Sequence, residues 1–85
     1  MITIYGKTNC AFCVKAKAFA EQRGFKYEYK DVGARQATFQ ELLERAPEPV
    51  RSVPQIWIND DYVGGYTQFV QYVEDTGYTG TGHSL

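Results

Sequence analysis

Cys10 and Cys13 are the only cysteines in the 85-residue chain, and they stand in the stretch Thr8-Asn9-Cys10-Ala11-Phe12-Cys13. A C-x-x-C pair in a βαβ setting points to thiol–disulfide exchange. The stretch follows Met1-Ile2-Thr3-Ile4-Tyr5, rich in β-formers, and precedes a segment of helical periodicity, so Cys10 falls at a helix N-terminus. There the unpaired N–H groups and the helix dipole favour an anion, which for cysteine means thiolate. Cys10 therefore reads as the nucleophile. Cys13, one turn into the helix, reads as the more buried sulfur that resolves a mixed disulfide. The competing readings are two structural thiols or half of a zinc site. A structural zinc usually takes four ligands, and the single histidine, His83, lies in an aperiodic C-terminal segment.

Three further places have residue types that could do chemistry. Lys7, three residues before Cys10, is either a cation that lowers the thiolate pKa or pairs with an anionic substrate, or a solvated loop lysine. Val53-Pro54 precedes an apolar run, and proline at a first strand position reads as scaffold. Gly64-Gly65-Tyr66-Thr67 precedes a helical pattern. Its glycines either let a ligand approach backbone N–H groups at a helix start or serve a loop needing positive φ.

The elements that must position these residues follow from periodicity. Met1–Tyr5 predicts a first strand, apolar on both faces as buried parallel strands are, and Gly6–Asn9 a turn with Asn9 as N-cap. Phe12, Ala16, Phe19 and Ala20 recur at helical spacing up to Arg23, and Gly24 sits where a C′ glycine belongs. Phe25–Val32 alternates aromatic with charged residues, which predicts a strand with one solvated face. A second helix is expected over 35–46, with Phe39, Leu42, Leu43 and Ala46 inward and Pro47 and Pro49 ending it. Gln55–Ile58 and Tyr62-Val63, joined through Asn59-Asp60-Asp61, predict a hairpin. Tyr66, Phe69, Val70 and Val73 mark a third helix ending near Gly77. Trp57, Tyr62, Phe39 and Phe19 are expected in the core. The order β-α-β-α-β-β-α gives one α/β domain over 1–77, with a frayed tail over 78–85. Its first two strands should run parallel through a right-handed crossover.

Composition narrows the function classes. Charged residues make up 22% of the chain, the net charge is −1, and there is no basic or acidic block, so neither nucleic acid nor a membrane surface is expected as partner. No apolar run approaches the ~20 residues of a membrane-spanning helix. No charged n-region and apolar h-region precede the first strand, so a cytoplasmic location is expected, where a structural disulfide rarely persists.

Taken together, Cys10-x-x-Cys13 after a strand, Ser52-Val53-Pro54 before the third strand and Gly64-Gly65-Tyr66-Thr67 opening the last helix resemble the short dithiol glutaredoxins. The resemblance spans residues 1–76. It implies a thioredoxin fold, a four-stranded mixed sheet flanked by three helices. It also implies a glutathione-dependent oxidoreductase acting on protein disulfides and glutathione mixed disulfides through Cys10 and Cys13. Glutathione would be a co-substrate, with no tightly bound cofactor and no metal. In such a site Pro54 is cis, the Val53 backbone pairs with the cysteinyl moiety, and Gly65, Tyr66 and Thr67 hold the γ-glutamyl end. Lys7 meets the glycyl carboxylate with help from Arg51. Family-level partners are glutathione, disulfide-containing or glutathionylated proteins and ribonucleotide reductase, with the protein a monomer.

The chain departs from the family pattern at Ala11 and Phe12, where proline and tyrosine are usual, and at Gln68, where an aspartate usually faces the γ-glutamyl amine. Phe12 keeps aromatic packing without the hydroxyl, and Gln68 keeps an acceptor oxygen without the charge, so weaker glutathione binding is expected. Two alternatives stand beside the main reading. One is a glutaredoxin-like redoxin reduced by thioredoxin reductase. The other is a dimer holding a glutathione-ligated [2Fe–2S] cluster, for which Ala11 removes a proline that disfavours it.

Overall fold

In the computed structural model, which describes residues 1–78, the chain runs β1 (Ile2–Gly6), α1 (Ala11–Gln22), β2 (Tyr27–Asp31), α2 (Gln36–Arg45), β3 (Gln55–Ile58), β4 (Asp61–Gly64) and α3 (Tyr66–Thr76). The strands form one mixed sheet in the order β2-β1-β3-β4, with β1 parallel to β2 and antiparallel to β3, and β3 antiparallel to β4. This is the thioredoxin-fold architecture the resemblance implies. His83 and the rest of the expected tail from 79 onward lie outside the described residues.

Period-two alternation sends the central strands into two cores. Ile2, Ile4, Ile56 and Ile58 face Ala16 and Ala20 of α1 and Phe69 and Val73 of α3. Tyr5 and Trp57 face the other way, onto Leu42 of α2. Register agrees with this split, since Ile2 pairs with Ile58, Thr3 with Trp57 and Ile4 with Ile56. One layer of two helices and one of a single helix thus enclose the sheet. Burying β1 on both faces fixes where its C-terminal end, and so the cysteine loop, must emerge.

Several expectations need correction. Asn9 does not cap α1. Cys10 does, with extended backbone and its sulfur accepting the Cys13 N–H at 3.2 Å, because the acceptor that suits the first turn here is the sulfur itself. Phe12 is 54% exposed rather than inward; it lies in the first turn of α1, beyond the rim of the sheet. The solvated face expected for β2 keeps Glu28 exposed, and α2 reaches it through Glu41, which pairs with Lys30 at 2.6 Å. Phe25 is buried but precedes the strand, which begins at Tyr27. On α2 only Leu42 is buried, while Phe39 and Leu43 remain 39% and 41% exposed. Among the described residues, this ten-residue helix is alone on its face of the sheet, and no second helix covers its flanks. Ala46 turns extended ahead of Pro47, as a residue before proline must. Trp57 is buried and Phe19 half-buried, but Tyr62 is exposed, its ring against Trp57 and its hydroxyl donating to Gln55. Tyr78 packs edge-on against Phe25, so the core extends one residue past 77.

Candidate active site

β1 delivers the chain to one end of the sheet, and the loop after Gly6 carries it into α1. Cys10 and Cys13 are joined as a disulfide there, with Cα atoms 5.1 Å apart, within the ordinary span of such a bond. Their surroundings differ sharply. Cys10 is half-buried at the helix cap, whereas Cys13 has no exposed surface. Cys10 Sγ is thus the sulfur open to an incoming group, and Cys13 Sγ is enclosed. When the bond is broken, the Cys13 N–H already directed at Cys10 Sγ stabilises a thiolate on Cys10. The first helical hydrogen bond, from Val14 N–H to the Cys10 carbonyl at 3.0 Å, holds that cap in place.

The loop before β3 forms the opposite wall. The Val53-Pro54 bond is cis and Pro54 is buried, and the Val53 carbonyl lies 3.6 Å from Cys10 Sγ. In the disulfide that sulfur has no proton, so this is a packing contact. In a reduced thiol the same oxygen becomes an acceptor for the S–H.

The third wall is the β4–α3 junction. Between Trp57↔Tyr62 and Ile56↔Gly64 the pairing slips by one residue, leaving Val63 as the extra residue of a bulge just before the glycine pair. Gly64 has φ of +119°, a conformation open to glycine. Gly65 does not need this freedom, at φ −92°. A Cβ on it would lie 3.2 Å from Gln68 Oε1 and 3.7 Å from the Pro54 carbonyl. The Gln68 side chain folds back over both glycines and its Oε1 accepts the Gly65 N–H at 3.1 Å, half of a capping box that glycine cannot return. The oxygen of Gln68 is therefore already used, which leaves its amide N–H₂ as the free polar group. The first helical bond of α3 runs from Phe69 N–H to the Gly65 carbonyl at 2.9 Å. The N–H groups of Tyr66, Thr67 and Gln68 thus lack helical partners and can meet a carboxylate.

Two aromatics frame the entrance. Phe12 and Tyr66 have ring centroids 6.0 Å apart, and the Lys15 ammonium stands 5.1 Å from the Phe12 ring centre. The structure thus brings Cys10, Cys13, Phe12, Val53, Pro54, Gly65, Tyr66, Thr67 and Gln68 around one end of the sheet. Lys7 lies on the cysteine loop, exposed, beside a groove of about 300 Å³ that Thr8, Asn9, Asp31, Gly33 and Ala34 also line. Arg51 is exposed and lines a separate groove with Glu48, Ser52, Gln55 and Tyr62. Among the described residues no three His, Cys, Asp or Glu side chains cluster as a metal site would need.

Sequence reasoning missed Gly6 and Tyr29. A Cβ on Gly6 would sit 2.9 Å from Tyr29 Cζ and 3.0 Å from Cys13 Sγ, so the residue that reads as a turn glycine is the floor on which the buried sulfur rests. It also missed Asp31, whose carboxylate accepts from Thr8 Oγ1 at 2.8 Å and from the Gly33 and Ala34 N–H groups. These bonds, the Thr8 hydroxyl foremost, hold its pKa below the usual carboxylate value. The signal for Asp31 was present in Asp31-Val32-Gly33, an Asx turn at a strand end. Nothing in the sequence marks Tyr29 off from its neighbours Tyr27 and Phe25.

The glutaredoxin family model matches residues 2–63. Glutaredoxin 1 of Escherichia coli K12 is 38% identical over 77 residues, covering 85% of this chain and 91% of its own length. The Vibrio cholerae glutaredoxin is 35% identical over 79 residues, covering 87% and 91%. Among solved structures, reduced Escherichia coli glutaredoxin superposes with a TM-score of 0.76 at 37% identity, covering 87% of this chain and 93% of that one.

Proposed function

The chain belongs to the glutaredoxin family, and on that premise we propose that its thiol–disulfide oxidoreductase chemistry divides between Cys10 as attacking and Cys13 as resolving sulfur. The observation that carries this division is the contrast in access, with Cys10 half-buried at a helix cap and Cys13 fully enclosed. In the reduced protein the Cys10 thiolate attacks one sulfur of a substrate disulfide. A Cys10–substrate mixed disulfide forms and the other substrate sulfur leaves as a thiolate that takes a proton from water. Cys13, deprotonated, then attacks Cys10 Sγ, releasing the reduced substrate and forming the Cys10–Cys13 bond. One glutathione thiolate opens that bond at Cys10, and Cys13 leaves and is protonated. A second glutathione attacks the sulfur of the first, giving glutathione disulfide and the Cys10 thiolate. Glutaredoxin potentials of roughly −200 to −230 mV suit this electron source.

The glutathione itself is read as lying along the groove between the three walls. The Val53 backbone takes its cysteinyl portion, with Pro54 and Phe12 in apolar contact. Tyr66 and Thr67, with Gly65 and Gln68, meet the γ-glutamyl end at the α3 N-terminus, and Lys7 meets the glycyl carboxylate. The free N–H groups of the first turn of α3 support this orientation. The exposed place of Arg51 in a separate groove gives it a lesser part. We extend the reading to a monomer in the reducing cytoplasm, with glutathionylated proteins and ribonucleotide reductase among its substrates; the single cysteine pair fits that compartment.

Two serine variants test the division of roles. Cys10→Ser should abolish every activity. Cys13→Ser should retain reduction of a glutathione mixed disulfide and lose reduction of protein disulfides that need both sulfurs. Equal loss in both variants would overturn the assignment. The electron source is tested by coupling disulfide reduction to NADPH, once through glutathione and glutathione reductase and once through thioredoxin reductase. Turnover with thioredoxin reductase alone would replace the glutathione reading.

A further inference from the structure

The loop that carries the nucleophile has little backbone support. Thr8 and Asn9 form a local turn, and among the described residues no backbone–backbone hydrogen bond ties Lys7, Thr8 or Asn9 to another strand or helix. The last tie before them is the Val32 N–H donating to the Gly6 carbonyl at 2.9 Å. The next comes at Cys10, where α1 begins. Between these points the loop is held by two side-chain bonds, both to the end of β2. The Tyr29 hydroxyl donates to the Lys7 carbonyl at 2.9 Å, and Thr8 Oγ1 donates to Asp31 Oδ2 at 2.8 Å.

Of the two, only the Tyr29 bond reaches the backbone of the loop. Its ring is half-buried, with the backbone of Gly6 close against Cζ and the Lys17 ammonium 5.5 Å from the ring centre on α1. Burial, and after it the charge of Asp31, holds the phenol pKa above its usual value, so the O–H remains a donor across neutral pH. The Thr8–Asp31 bond, at the surface like the Tyr29–Lys7 bond, joins two side chains and leaves the Lys7 carbonyl untouched.

Fixing a carbonyl fixes the plane of the peptide that follows it, and with it the backbone torsion from which the Lys7 side chain departs. We propose that Tyr29 is a positioning residue for glutathione: through the Lys7 carbonyl it sets the direction in which Lys7 presents its ammonium to the substrate's glycyl carboxylate. The inference rests on the glutathione reading of Lys7 given above. It assigns a part in substrate binding to a residue of an edge strand that does not itself line the cleft.

A double-mutant cycle tests it, using the full chain and the glutathione-reductase-coupled assay with glutathione varied. Tyr29→Phe keeps the ring against Gly6 and removes only the donor. One hydrogen bond of ordinary net strength corresponds to roughly a 2- to 10-fold change. Tyr29→Phe should therefore raise the apparent KM for glutathione about that much with kcat little changed, and Lys7→Gln should raise it at least as far. If Tyr29 acts through Lys7, adding Tyr29→Phe to Lys7→Gln should bring no further rise. A wild-type KM in Tyr29→Phe, or effects that multiply in the double variant, would overturn the proposal and leave the glutathione reading standing. An unchanged KM in Lys7→Gln would instead strike the glutathione reading of Lys7, and the proposed route with it.

Discussion

Gln68 offers the sharpest perturbation of the cleft. Its Oε1 is committed to the Gly65 N–H, and its Cβ and Cγ lie within 3.3 Å of where a side chain on Gly64 would begin. On the glutathione orientation proposed above, a γ-glutamyl ammonium at the start of α3 meets an amide N–H₂ and the free N–H groups of the first turn, donors facing a donor. The α-carboxylate of the same moiety is welcome there; the ammonium is not. Gln68→Asp shortens the side chain by one methylene and replaces the amide with a carboxylate at the third position of the helix. That charge gains about 0.3–1 kcal/mol from the helix N-terminus. Paired with the ammonium at a solvent-exposed site, it contributes at most about 1 kcal/mol to binding. The binding share alone corresponds to up to ~5-fold lower apparent KM for glutathione.

The assay follows directly the thiol released from a chromogenic small disulfide, with glutathione varied over a wide range, and is repeated with cysteamine as a reducing thiol that has no γ-glutamyl group. Gln68→Asp should lower the KM for glutathione and leave that for cysteamine where it was. Gln68→Glu separates charge from geometry, because a glutamate keeps the length that reaches the Gly65 N–H. It should improve glutathione binding less than aspartate does, since one of its oxygens stays on that N–H. A glutathione KM unmoved by either substitution would refute the reasoning, and equal improvement with cysteamine would trace the effect to Cys10 rather than to the γ-glutamyl end.

Other consequences concern the scaffold under the site. Gly6→Ala places a methyl against Tyr29 Cζ and Cys13 Sγ, at 2.9 and 3.0 Å. It should cost roughly 1–3 kcal/mol of stability, as overpacking does, and speed alkylation of reduced Cys13; a neutral denaturation midpoint would show that the sulfur does not rest there. Tyr5 is fully buried, its hydroxyl bonded to Glu41 and to Arg45 Nη1. Tyr5→Phe should lower stability by about 1–2 kcal/mol with an unchanged denaturant slope, and no loss would mean that Lys30 alone satisfies Glu41. Tyr27 is pushed up to about 12, first by burial and then by its bond to Glu21. A folded pKa above the unfolded value of 10 means that its contribution is intact below pH 10 and fades as pH rises toward 12. Denaturation midpoints should therefore fall over that interval, less steeply in Tyr27→Phe; identical slopes in the two proteins would contradict the assignment.

What could be read from the sequence divides along a physical line. Strands and helices were legible wherever burial imposes a period. Ile2, Ile4, Ile56 and Ile58 alternate because a sheet buries every second residue, and Phe69 and Val73 recur because α3 lies on that same core. The reactive pair was legible because Cys10 at a helix start needs only local geometry to gain its acceptor role. The failures arose where a residue's role is set by what crosses over it. Phe39 fits a helical stripe as well as Leu42 does, yet no second helix among the described residues covers it. Gly65 looks like a place for a ligand to approach backbone, and the group that approaches is the chain's own Gln68. Tyr29 looks like one more strand aromatic, and its position relative to the cysteine loop exists only because β2 lies parallel to β1, with Tyr29 paired to Ile4 and Asp31 to Gly6. That register follows from the packing of two strands separated by a whole helix. The same register sets the Tyr29 hydroxyl beneath the loop that holds Lys7, so the site's tuning lies in long-range pairing while its chemistry lies in four consecutive residues.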